Sequence, residues 1–234
     1  MTEAAQHQRE PAAGSAKPLQ YIIGVDLGQA HDRTALCVLE QHQRPTGRLA
    51  PPTRRPVWGR ENNTQTVQLE STYQVRHLER LEVGTPYPEQ VKRIQALHKA
   101  VESIKPAGHK AVALVVDQTG VGRPVVDMLR AAGLRALQAV TIHGGDQVNS
   151  TGREHRVPKR ELVSVLQVLL QGNRLQVAAA LPDAQTLTRE MLAFKVTISN
   201  TGHDSYGNDW RENAHDDLVL ATALAVWLPE RCSS

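Results

Sequence analysis

The sequence KAVALVVDQTG occupies residues 110–120, and it contains the feature that most constrains the fold. Its apolar residues are continuous instead of alternating, which is typical of a strand covered on both faces. The strand ends at Asp117, and ligand sites of open α/β sheets gather where strands end. Directly afterwards, RPVVDMLRAAG (123–133) predicts a helix that stops at its glycine. The two segments together indicate a β-α unit.

The segments on either side extend this unit into a larger sheet. YIIGVDLG (21–28) and RTALCVLE (33–40) predict a hairpin of two strands, and VQLESTYQVRHLERLE (67–82) predicts a third strand. The remaining elements follow from apolar periodicity. In chain order they are a helix at 89–104, a strand at 134–142, a polar, basic loop at 143–158, a helix at 159–171, a short edge strand at 174–178, a segment at 183–197 that is helical at first and then extended, and a final helix that begins at the aspartate pair.

The predicted order is three strands, then alternating helices and strands, then mainly helices. Three antiparallel strands followed by β-α units give an α/β mixed sheet with helices on both faces. Residues 1–18 lack periodicity and predict a disordered tail. Residues 19–230 are predicted to form a single domain with a long basic loop at 41–66. Prolines such as Pro45 and Pro51 exclude a helix or an inner strand in that loop.

The composition excludes several classes of protein. Hydrophobic residues make up 40% of the 234, which suffices for a core, and the formal charge of +3 is compatible with a nucleic-acid partner. The two cysteines match neither a disulfide framework nor zinc spacing. The N-terminus has no signal-peptide core, and the longest apolar stretch, 218–228, is too short to span a bilayer. These features predict a soluble, cytoplasmic protein without a membrane partner.

Acidic residues stand at three places where a site is expected. Asp26 lies in an apolar strand between two glycines, Asp117 ends the buried strand, and Asp216 and Asp217 precede the last helix. Four carboxylates without a Cys or His set suit hard cations such as Mg²⁺ or Mn²⁺. Simpler interpretations remain open, because Asp117 can open a turn and the aspartate pair can cap the helix.

Four motifs in this order resemble a known family: IIGVDLG, LVVDQTGVGRPVVDML, VPKRELVSVLQVLLQGNRLQVA and HDDLVLATALAVW. They resemble the nuclease domain of phage terminase large subunits, which has the ribonuclease H-like fold shared with RuvC-type resolvases. The resemblance implies that Asp26, Asp117 and Asp217 bind metal, with Asp216 binding or orienting a second ion. The match leaves open which of Asp216 and Asp217 is the primary ligand. It also implies a supporting or proton-shuttling role for His215, for which a plain loop histidine is the alternative.

The implied activity is endonucleolytic cleavage of phage DNA during genome packaging, by hydrolysis with two Mg²⁺ or Mn²⁺ ions. The chain shows no counterpart of the family's packaging ATPase, so the expected partners are double-stranded DNA and a separate packaging ATPase, small terminase subunit or portal. The expected location is the cytoplasm of a bacterial or phage-infected cell. An acidic site needs nearby basic residues to hold DNA phosphates. The candidates lie in two basic segments: Arg54, Arg55, Arg60, Arg153, Arg156, Lys159 and Arg160.

Other functions compete with this interpretation. A RuvC-like resolvase of branched DNA shares the chemistry and differs in substrate. A non-catalytic DNA-binding or assembly module of the same fold would lack metal-dependent cleavage. An ATPase fragment of the sugar-kinase or actin type is disfavoured, because it requires a second, duplicated domain and phosphate loops. The Gly-rich TGVGRP (119–124) lacks the Lys-Ser/Thr of a P-loop and predicts a turn.

Overall fold

The computed structural model of the chain describes residues 19–28, 32–49, 67–121, 123–200 and 216–233. Its strands and helices, in chain order, are β1 (Gln20–Asp26), β2 (Ala35–Leu49), β3 (Val67–Arg80), α1 (Tyr87–Ile104), β4 (Ala113–Asp117), α2 (Arg123–Ala131), β5 (Gln138–His143), β6 (Asn149–Thr151), β7 (Glu154–Pro158), α3 (Lys159–Gln171), β8 (Leu175–Val177), α4 (Ala184–Asn200) and α5 (Asp217–Ser233). The predicted tail, residues 1–18, lies outside the described residues.

The described strands form one sheet in the order β6-β7-β5-β4-β1-β2-β3-β8. The first three strands pair antiparallel, whereas β4 pairs parallel with β1 and β5 pairs parallel with β4. The short strand β8 pairs parallel with β3 and is the edge strand opposite β6. The predicted ribonuclease H-like mixed sheet is therefore confirmed, including the hairpin at its start.

Helices cover both faces of the sheet, as predicted. Along β1 and β4, Ile22 and Val115 belong to the core beneath α3, α4 and α5, whereas Ile23 and Val116 belong to the core beneath α1 and α2. Both cores are made mainly of aliphatic side chains, in keeping with the low aromatic content. None of the described helices is long and apolar enough to cross a membrane.

The prediction of a loop from residue 41 onward is wrong for its first nine residues. Strand β2 continues to Leu49 and pairs with β3 beyond the point where Gln41 faces the end of β1. Past Gln41, β2 pairs with β3 alone among the described strands, so Pro45 occupies an edge, where its missing N–H is tolerated. Residues 50–66 lie outside the described residues.

Two further expectations are wrong. The predicted polar loop at 143–158 contains β6 and β7, and β7 pairs parallel with β5. Its alternation is visible in His155 and Val157, which are buried, and Arg156, which is exposed. The segment at 183–197 does not become extended, because α4 continues as a helix to Asn200. β-branched residues such as Val196 favour strands only weakly, and tertiary context overrides that preference.

Candidate active site

Asp26 and Asp117 lie side by side at the edge of the sheet that is formed by the carboxyl ends of its parallel strands. They are the last residues of the parallel strands β1 and β4, and they are paired in register. Adjacent strands are about 4.8 Å apart, so the two side chains start within reach of one another. Because side chains alternate along a strand, both carboxylates point to the same face as Val115, which is the face covered by α5.

Helix α5 brings the other two aspartates to this edge. Gly24 makes the approach possible, because a Cβ there would overlap the carbonyl oxygen of Ala221 and stand 2.9 Å from the Cβ of Ala225. Asp217 is one helical turn, about 6 Å, before Ala221. Asp26 is two strand residues, about 6.6 Å, beyond Gly24. The similar offsets place the start of α5 over the ends of β1 and β4.

The other three aspartates act electrostatically on Asp26. The pKa of Asp26 is raised well above its usual value, first by the loss of water around the group and then by repulsion from Asp117, Asp217 and Asp216. Asp117 and Asp217 are buried, while Asp26 keeps a partly exposed surface at the edge. The structure therefore brings together all four aspartates that the sequence singled out.

Lys159 supplies positive charge inside this cluster. It is the first residue of α3, and its Nζ donates a 2.8 Å hydrogen bond to Asp216 Oδ2, with both side chains at least 85% buried. Its charge also opposes the rise in the pKa of Asp26. A lysine this well buried is normally held by a carboxylate partner, so Lys159 is an integral part of the acidic cluster.

The alternative reading of Asp117 as a turn residue also describes the structure. Its Oδ1 accepts a 2.7 Å hydrogen bond from the backbone N–H of Thr119, and the Thr119 hydroxyl in turn accepts the N–H of Ile142. The first bond orients the carboxylate of Asp117, and the second ties the end of β4 to β5. Turn formation and metal binding are compatible, because a carboxylate has about four lone-pair sites.

Capping of α5 is performed by a residue that the sequence did not reveal. Glu190 of α4 accepts hydrogen bonds at its Oε2 from the backbone N–H groups of Leu218 and Val219, at 3.0 and 3.2 Å. Burial, followed by repulsion from Asp217, raises the pKa of Glu190 to about 7 although the two amides oppose the rise. One signal was present in the sequence, because Glu190 follows the buried Leu187 by three residues and so shares its helix face.

The predicted DNA-binding residues are spread over the molecule. Lys159 and Arg160 begin α3 beside the carboxylates, and Arg160 forms a 2.7 Å ion pair with Asp146. Arg153 lies at the opposite end of the parallel strands, where its carbonyl accepts the N–H of Ala139 near the start of β5. Arg156 lies between His155 and Val157, which face α5, and its side chain therefore points to the other face of the sheet. Outside the described residues lie Arg54, Arg55, Arg60 and His215.

The donor set fits a hard divalent cation in chemistry. All four groups are carboxylates, and their mutual repulsion is the kind of strain that a bound cation relieves. In the described part of the chain, no three His, Cys, Asp or Glu side chains already converge on a point where they would hold a metal ion.

Comparisons with known proteins return matches only among solved structures. No protein-family model matches the chain, and no curated protein does. The large terminase nuclease from thermophilic phage G20c is 21% identical, with a TM-score of 0.46 over 88% of this chain and 80% of that chain. The Mn-soaked terminase nuclease domain of human cytomegalovirus is 11% identical, with a TM-score of 0.45 over 88% and 82%.

RuvC of Thermus thermophilus is 14% identical, with a TM-score of 0.38 over 89% of this chain and 92% of that chain. The fold assignment itself stands on the sheet order of this chain, in which antiparallel β1, β2 and β3 are followed by parallel β4 and β5. The chain has a ribonuclease H-like fold, similar to that of the terminase nucleases and RuvC.

Proposed function

We propose that this protein is a divalent-metal-dependent DNA endonuclease with Asp26, Asp117, Asp216 and Asp217 as its catalytic carboxylates. The observation that carries the proposal is the in-register pair Asp26 and Asp117 beneath the first turn of α5. Four carboxylates at one edge of a sheet are costly for folding, as the raised pKa of Asp26 indicates. A cost of this kind is typical of functional sites.

The cofactor proposed for this site is one or two Mg²⁺ or Mn²⁺ ions. Asp26, Asp117 and Asp217 would hold the first ion, and Asp216 would bind or orient the second. When bound, such ions would stabilise negative charge on phosphate oxygens and lower the pKa of water at the site toward neutrality. Oxygen-only ligands are what these hard ions prefer.

The chain itself supplies orientation and charge. Thr119 orients the carboxylate of Asp117, and Lys159 holds that of Asp216. Arg160, beside Lys159, is at the same edge of the sheet and is proposed to contact DNA phosphates. Arg54 and Arg55, in the basic loop predicted at 41–66, are also proposed to contact DNA phosphates. Contacts of this kind hold the DNA backbone without reading its sequence.

The finer proposal is that the substrate is double-stranded phage DNA cut during genome packaging, in partnership with a packaging ATPase, small terminase subunit or portal. The four motifs quoted above support this role. A resolvase would use the same carboxylates on branched DNA. Cleavage rates on a linear duplex and on a four-way junction of equal length separate the two. A preference of more than about tenfold for the junction would favour the resolvase.

The first experiment is cleavage of supercoiled plasmid in Mg²⁺, Mn²⁺ or EDTA, with Asp117→Asn beside the parent protein. Loss of a direct ligand should lower the rate by at least about 100-fold, since even outer partners of metal ligands are worth 10–100-fold. Asp127→Asn is the matched control, because Asp127 is an exposed aspartate of α2 whose ion pair among the described residues is with Arg130 at 3.4 Å.

The proposal predicts cutting that requires the metal, disappears in Asp117→Asn and persists in Asp127→Asn. Cutting that survives in Asp117→Asn would place the active site elsewhere. A folded parent protein that cuts in neither metal, alone or with a packaging ATPase, would support the non-catalytic module instead.

A further inference from the structure

The first turn of α5 is capped from another helix. Asp216 is the N-cap residue, because its carbonyl accepts the first helical bond from Leu220 at 2.9 Å. An N-cap aspartate normally turns its carboxylate onto the amides two and three residues later. Here those amides, of Leu218 and Val219, donate to Glu190 instead, and the Asp216 carboxylate bonds Lys159.

Glu190 is itself held firmly in place. It is 7% exposed and lies one helical turn after the buried Leu187, on the same face of α4. At the start of α4, Asp183 forms a 3.1 Å ion pair with Arg80, the last residue of β3. Through this ion pair the start of α4 is tied to β3, and Glu190 reaches the start of α5 from the same helix.

The location of these bonds matters for the carboxylates. The two amides follow Asp217 directly, and α5 starts over Asp26 and Asp117. Because Glu190 satisfies the first-turn amides, the side chain of Asp216 is not needed as a cap. The device therefore sets the position of the aspartate pair and leaves the carboxylate of Asp216 available to the site.

We propose that Glu190 is a positioning residue: by bridging α4 to the first turn of α5, it holds Asp216 and Asp217 against Asp26 and Asp117 in the geometry that binds metal. The consequence for metal binding rests on the proposed function, whereas the anchoring of α5 does not. Glu190 acts through its hydrogen bonds to α5, and its reach is therefore more important than its charge.

Three substitutions separate reach from charge. Glu190→Gln keeps an oxygen at the same distance, and its nitrogen would replace Oε1, which is buried and accepts no hydrogen bond from the described residues. Glu190→Asp keeps the charge but is one methylene shorter, and Glu190→Ala removes both. Glu230→Ala is the matched control, because Glu230 anchors the far end of α5 through Tyr73 and Arg174, at 2.7 and 2.6 Å.

Two measurements are made on the full chain. Hydrogen exchange of the Leu218 and Val219 amides, in metal-free protein, reports the anchoring directly. Titration calorimetry with Mn²⁺ alone reports the metal site without requiring catalysis. Thermal unfolding of every variant confirms that it is folded at the temperature used.

We expect amide protection to fall about tenfold in the Ala and Asp variants, with Mn²⁺ binding weakened by about 10–100-fold, as for other outer partners of metal ligands. The Gln variant should stay within about threefold of the parent protein in both measurements, and Glu230→Ala should keep its Mn²⁺ affinity.

Unchanged protection in Glu190→Ala would overturn the anchoring. A Gln variant as weak as Ala, with an Asp variant that binds normally, would overturn the positioning role, because charge would then be the requirement. A Mn²⁺ affinity that falls equally in Glu230→Ala would also overturn it, since the effect would follow stability alone. A parent protein that binds no Mn²⁺ would refute the proposed function, while amide protection would still decide the anchoring.

Discussion

Replacing Gly24 by Ala should separate α5 from the strand beneath it and disable the site without touching any carboxylate. Gly24 lies in the middle of β1, paired with Cys37 on one side and Val115 on the other. Its lack of a side chain lets the backbone of α5 rest on the strand. The substitution adds a single methyl group at the point of contact.

The size of the effect follows from the packing. The new Cβ would overlap the carbonyl oxygen of Ala221 and stand 2.9 Å from the Cβ of Ala225. Carbon atoms in contact rest about 3.5–4.0 Å apart, so α5 must retreat by about 1 Å. Overpacking of this kind costs about 1–3 kcal/mol. In a chain of this length, that lowers the thermal midpoint by roughly 2–12 °C.

Asp217 is one turn from the point of contact and would move with the helix. A misplacement of about 1 Å can cost about 100-fold in rate, and plasmid cleavage with saturating DNA should slow by that order. The assay is run where every variant is folded. Ile94→Val, a core truncation under α1 on the other face, costs about 0.5–1.5 kcal/mol and serves as the control that should cut normally.

An unchanged thermal midpoint in Gly24→Ala would refute the close packing of α5 on β1. A lowered midpoint with normal cleavage would refute the inference that this packing sets the position of Asp217. Equal losses of cleavage in Gly24→Ala and Ile94→Val would show that general stability, and not the position of the helix, controls the rate.

Three further predictions address charge. Asp26→Asn should raise the thermal midpoint in EDTA. Because the pKa of Asp26 in the folded protein lies above its ordinary value of 3.8, the folded state binds more protons than the unfolded state once the pH exceeds 3.8. The parent protein therefore loses stability as pH rises. The advantage of Asn should therefore be larger at pH 8 than at pH 5, and an advantage that shrinks would contradict the sign. Lys159→Met should destabilise the metal-free protein by about 3 kcal/mol, because it leaves a carboxylate without its ammonium partner, and added Mn²⁺ should restore part of the loss in a thermal scan. Replacing Arg54 and Arg55 by Ala should reduce the salt slope of DNA binding by about 2, whereas Arg153→Ala, at the far edge of the sheet, should leave it unchanged.

Much of the architecture follows from local pattern. The continuous apolar run ending at Asp117 and the short strand ending at Asp26 are decided by a few neighbouring residues, so their identity as strands was predictable. The same holds for α1 and α3, whose apolar stripes repeat at helical spacing. The extension of β2 past Pro45 was not predictable, because it depends on whether a second strand lies beside it.

The roles of the aspartate pair show the limit of local reasoning. Asp216 and Asp217 before an apolar helix suggest capping, and nothing nearby in the sequence contradicts that suggestion. The residue that caps the helix, Glu190, is 28 residues away from Leu218 and reaches it only because α4 packs against α5.

Local sequence pattern identified the strands that end in Asp26 and Asp117 and the helices α1 and α3, but it missed β6, β7 and the helical second half of α4. Three features follow from tertiary contacts instead: these two acids are register partners, Gly24 admits α5 above them, and Lys159 bonds Asp216. The reason is physical: periodicity and propensity act over a few residues, whereas register, close packing and buried hydrogen bonds join residues whose separation in sequence carries no signal.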